Sequence, residues 1–222
     1  MKKIWVTLLK MLVFLLVLFA TMRIVFLLKY WSLVTLGEIP VGEILKGFWS
    51  ALPLDFATAS FMLALPVIYM FVNIAIDKDT LFAPLRWYFY LMVAFYNLVA
   101  FGDIGIYGEW RTKLSYRALL YLENPAEVIN TAETEQTLLL IVLWTFFTIL
   151  FCWLYTKFVE PKQLDPNKEE KKPNKIVLSG SFVIAIGFLF LLMRGGLNEI
   201  PITSSKVYYS SHKFANEMCV NP

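Results

Sequence analysis

Several residue types are scarce in this 222-residue chain. It holds a single histidine (His212) and two cysteines (Cys152 and Cys219), which is too few for a disulfide scaffold or for a metal site built on His and Cys ligands. Its 10 Gly and 10 Pro exclude collagen-like and low-complexity classes. Charged residues make up 17%, against roughly 25% in soluble domains, and the net charge of +3 is too small and too scattered for a nucleic-acid partner. Gly-rich phosphate loops and nucleophile elbows are likewise missing.

Apolar residues are abundant. They account for 59% of the chain, with 19 Phe, 11 Tyr and 7 Trp and a mean hydropathy of +0.63. A water-soluble sphere of this size could not be coated with the polar residues that remain. The composition implies an all-α integral membrane protein, because a helix satisfies its own backbone where water cannot.

A bilayer core of about 30 Å takes roughly 20 apolar residues per crossing. Five segments qualify, at about 4–28, 56–76, 84–103, 136–156 and 176–193. Lys10 and Arg23 lie toward the two ends of the first and are expected to snorkel to the interfaces. The first apolar segment is too long for a signal peptide and lacks a cleavage site, so it reads as an uncleaved helix. Pro66 falls inside the second, a kink that neighbouring helices can cover. With the N-terminus in the cytoplasm, 11 of the 20 Lys and Arg fall on the inner side, six of them in the 157–175 linker. Five crossings then place the C-terminus outside. The chain divides into a transmembrane domain, 1–193, and an extracytoplasmic connector, 194–222.

Candidate site residues collect at the outer ends of the spans. Asp103, Tyr107 and Arg111 recur every fourth residue, so a helix continuing past Gly102 carries them on one face. Two readings follow: an internal Asp–Arg pair flanked by the interfacial aromatics Tyr107 and Trp110, or a pocket in which Arg111 grips a lipid phosphate. Asp55 borders an otherwise apolar span and calls for a partner, with Arg111, Arg117 and Arg194 available on the same side. Residues 114–123, which include Arg117, suit a short helix in the interface plane. Asn124-Pro125-Ala126-Glu127 starts a second one running to 134. Arg194-Gly195-Gly196 combines a cation at headgroup depth with a sharp change of chain direction. His212, in a Ser-rich stretch, reads as a solvated loop residue. The semi-apolar chain beyond Gly196 is expected to lead toward a further outer domain.

These residues resemble the lipoteichoic acid synthase family, membrane-anchored phosphoglycerol transferases of bacteria whose outer catalytic domain is of the sulfatase type. The resembling blocks are Leu54-Asp55-Phe56-Ala57-Thr58-Ala59-Ser60 on to Leu65-Pro66, Tyr121-Leu122-Glu123-Asn124-Pro125-Ala126-Glu127-Val128, and Arg194-Gly195-Gly196 through Ile200-Pro201-Ile202 to Val207-Tyr208-Tyr209-Ser210, Asn216 and Val220-Asn221-Pro222. Ala51 and Pro53 stand where that family commonly has a glycine and a basic residue. The resemblance implies an anchor in the bacterial cytoplasmic membrane that presents an anionic phospholipid such as phosphatidylglycerol through Asp55, Asp103, Tyr107, Arg111, Arg117 and Arg194. It places the nucleophilic Thr and a divalent metal on the outer catalytic domain, acting in cis, with no cofactor and no catalytic residue in this chain. Phosphoethanolamine transferases share this five-helix design. A non-enzymatic scaffold or a small transporter is the reading from a different class.

Overall fold

The computed structural model describes residues 2–76, 82–114, 134–160, 174–197 and 200–220. The regular structure among them is entirely helical. Five long helices carry the apolar runs: α1 (Lys2–Lys29), α3 (Val41–Ile76), α4 (Phe82–Trp110), α5 (Thr134–Leu154) and α6 (Lys175–Arg194). Each is long and apolar enough to cross a membrane. A short α2 (Trp31–Leu36) links α1 to α3. After α6 come a 3₁₀ turn (Ser204–Val207) and the seven-residue α7 (Lys213–Cys219). The interfacial helices expected at 114–123 and 125–134 fall almost wholly outside the described residues, as does most of the lysine-rich linker.

Two helices outrun their apolar segments. α3 begins at Val41, 15 residues before the expected start, with both Pro53 and Pro66 inside it. Its 36 residues extend about 54 Å, whereas Asp55–Ile76 alone covers about 32 Å. That latter stretch matches a hydrocarbon core, so residues 41–54 project beyond it. The projecting part holds together because Ile44, Gly47, Ala51 and Asp55, spaced at helical intervals, form a buried face. α4 likewise continues through Gly102, Gly105 and Gly108 to Trp110. The helix survives these glycines because Ile104 and Tyr107 are buried, while Gly105 and Gly108 admit Leu140 of α5 and Tyr30.

The other ends have local causes. The Asn174 side chain accepts the Ile176 N–H at 3.1 Å and caps α6. Gly195, at φ 79°, closes α6 with its N–H on Leu192 and the Gly196 N–H on Leu191. A Cβ at Gly195 would also lie 2.5 Å from Ile202 Cβ, so only glycine fits. α5 runs on into a π turn, Tyr155–Val159, which seats Tyr155 stacked on Phe89 with ring centroids 4.5 Å apart.

α1 is central. It packs against α3 on one side and against α4 and the π turn on the other; α6 leans chiefly on α3, and α5 on α4. Three hydrogen bonds within the spans run between helices, where no water competes. Trp144 Nε1 donates to the Ala94 carbonyl (3.0 Å), Tyr88 Oη to that of Met62 (2.7 Å), and Asn97 Nδ2 to Thr148 Oγ1 (3.3 Å).

Candidate functional site

Ionisable side chains converge where α1, α3 and α4 meet α7. Arg23 is 3% exposed and does not snorkel. Its Nη1 and Nη2 donate to Asp55 Oδ2 and Oδ1 at 3.0 and 2.9 Å, a two-pronged pair across α1 and α3. The same guanidinium reaches α7, with Nε on the Met218 carbonyl (3.1 Å) and Nη2 on that of Cys219 (3.2 Å). These carbonyls sit at the C-terminal end of α7, where a helix has orphan acceptors and partial negative charge. One buried cation therefore neutralises Asp55 and caps the terminal helix. Sequence reasoning sought the partner of Asp55 among Arg111, Arg117 and Arg194; the structure supplies Arg23.

Asp103 pairs differently as well. Lys113 Nζ lies 2.7 Å from Asp103 Oδ2, and the Leu114 N–H lies 2.6 Å from Oδ1. The chain reverses after α4 to make this possible, with Arg111 left-handed at φ 52° and its N–H on the Tyr107 carbonyl. Lys113 Nζ also stands 3.9 Å from the centre of the Phe26 ring. Burial pulls the Lys113 ammonium below the usual lysine range, against the upward pull of Asp103. The expected Asp–Arg pair is thus an Asp–Lys pair, because the helix ends one residue before Arg111. Asp103 and Tyr107 share a buried face, while Arg111 is exposed.

Tyr107 Oη donates to Glu217 Oε2 at 2.7 Å, tying α4 to α7, and Phe26 stacks on Phe214 at 5.6 Å. Lys213 bridges Glu217 (3.5 Å) and the Arg111 carbonyl (3.0 Å). A third tie lies on the projecting part of α3, where Glu43 Oε2 meets Ser210 Oγ at 2.5 Å and His212 Nδ1 at 3.2 Å. Asn216 shapes that loop by accepting the N–H groups of Tyr209 and Ser210, both at 2.9 Å. His212, expected as a solvated loop residue, is half-buried and takes part in the contact.

Arg23, Asp103 and Lys113 line a cavity of about 10 Å³, together with Met22, Phe26 and Met218. That is room for one water and not for a phosphate headgroup. No described group of three His, Cys, Asp or Glu could hold a metal ion. No family model, curated protein or solved structure matches the chain. The site therefore has to be read from its own geometry. Asp55, Asp103 and Tyr107 face inward: Tyr107 holds α7 directly, Asp55 does so through Arg23, and Asp103 holds Lys113 and Leu114. Arg111 lies at the surface and Arg194 is half-buried at the end of α6. Arg117 lies outside the described residues. Arg23, Lys113, Glu217 and Glu43 were not foreseen as site residues. The one signal for Arg23 was an ionisable group within an apolar run, which ordinarily calls for a partner.

Proposed function

We propose that this chain is the membrane anchor and lipid-presenting domain of a phosphoglycerol-type transferase working at the outer face of a bacterial cytoplasmic membrane. The observation that carries this reading is the hold of Arg23, itself paired to Asp55, on the Met218 and Cys219 carbonyls. It seats the segment after α6 on the bundle. Two of the sequence blocks behind the family resemblance, the one around Asp55 and the one from Arg194 to Val220, meet at this contact, which supports taking them as one unit.

In this reading Asp55, Asp103 and Tyr107 are positioning residues, and headgroup contact falls to Arg111 and Arg194, exposed and half-buried respectively. The resemblance places the divalent metal and phosphoryl transfer on a separate outer domain acting in cis. Internal pairing of the buried charges also favours a second reading, a scaffold without an enzymatic partner.

Lipid binding separates the two. In vesicles, Arg111→Ala and Arg194→Ala should each weaken retention of phosphatidylglycerol relative to phosphatidylcholine, by about fivefold for one interfacial charge. Unchanged retention in both variants removes the headgroup role and leaves the scaffold.

A further inference from the structure

A groove runs along the spans between α1, α3 and α6, remote from the polar site. Its volume is about 120 Å³. Leu63 and Val67 of α3 and Ala185 and Leu189 of α6, all buried, form the floor; Trp5, Leu9 and Phe188 are exposed and form the walls. No polar or charged side chain lines it.

We infer that this groove binds one acyl chain of a membrane phospholipid as a resident ligand. The inference requires only that the bundle sits in a bilayer, and does not depend on the headgroup reading. Three observations select the occupant. First, the α3 and α6 residues lining the groove belong to uncharged runs, at a depth where water is absent. Second, an apolar hollow of this size excludes water and takes hydrocarbon, because unfilled walls forfeit dispersion contacts. Third, its lining follows the helix axes. The lining runs from Trp5 to Leu12 on α1 and from Ala185 to Leu192 on α6, about 10 Å on each helix, parallel to the direction in which acyl chains lie. The small side chain of Ala185 supplies the depth, since larger residues surround it.

The test uses the full chain reconstituted in phosphatidylcholine vesicles doped with phosphatidylcholine carrying a mid-chain diazirine. This lipid is zwitterionic, so labelling does not report on Arg111 or Arg194. Irradiation should mark peptides of α1 and α6 that face the groove in preference to the exposed apolar face of α5 around Phe146 and Ile149. Native mass spectrometry after detergent exchange should find one retained lipid, lost in Ala185→Phe and kept in Val183→Phe, an exposed position on the same helix. Equal labelling of α5, retention by a folded Ala185→Phe, or cross-links between two copies at the groove would each overturn the assignment. Should Ala185→Phe fail to fold, the labelling pattern alone decides.

Discussion

An arginine near the end of an apolar helix ordinarily reaches outward to headgroups, yet Arg23 turns inward because a carboxylate and two peptide carbonyls await it there. Removing either partner would leave an uncompensated charge out of water. Arg23→Ala and Asp55→Ala should therefore each cost about 3–5 kcal/mol, whereas an apolar pair such as Arg23→Met with Asp55→Leu should cost much less. Thermal unfolding in detergent checks the ordering; equal losses for the single and double variants would contradict it. Cys219 offers a second measurement at this scale. Burial pushes its thiol up to about 11, and its Sγ lies 3.4 Å from the Gly47 carbonyl. The folded chain therefore keeps a proton that the unfolded chain gives up above its ordinary pKa of 9.0. The stability this contributes is present at neutral pH and is lost as pH rises between those two values. At pH 8 iodoacetamide should modify Cys219 slowly in the folded protein and rapidly in urea.

Among the elements, α7 depends on the absence of a side chain at Gly47. A Cβ there would come within 2.2 Å of Met218 Cε and 2.9 Å of Tyr209 Oη. Both contacts are the ends of flexible side chains, so Gly47→Ala should displace those ends and loosen α7 at a cost of about 1 kcal/mol. Accelerated proteolysis of residues 208–220 reports it, and wild-type resistance would show that the seat is more plastic than the geometry allows. The five long helices were legible from the sequence because uncharged runs of bilayer length have few alternatives. The continuation of α4 past Gly102 was anticipated in the spacing of Asp103 and Tyr107, whereas that of α3 over residues 41–54 was not. Glu43, Lys46 and Pro53 interrupt the apolar run, while the face that orders residues 41–54 is completed by α7, some 165 positions away. The same remoteness hid the site. Asp55 and Asp103 stood out as acids needing partners, but whether Arg23 points up or inward, and whether the chain folds Lys113 back, depends on tertiary contacts that spacing does not encode.

For the whole molecule, the polar cluster lies at one end of the bundle, and orientation decides which compartment it faces. In the proposed orientation, read from the lysine bias in the linker, the N-terminus lies inside and α7 outside. In cells, Lys175→Cys should react with a membrane-impermeant maleimide only after permeabilisation, and Lys206→Cys without it, since both positions are exposed. The opposite pattern would invert the topology and move the proposed lipid contact to the cytoplasmic leaflet.

The length of α3 has a mechanical corollary. One continuous helix holds both the residues that match hydrocarbon thickness and the perch of the terminal helix. Thickening or thinning of the bilayer is accommodated by tilt, so whatever adjusts the membrane-matched part also swings the shorter projecting arm, residues 41–54. Helix α7, seated on that arm, would then shift with the local bilayer.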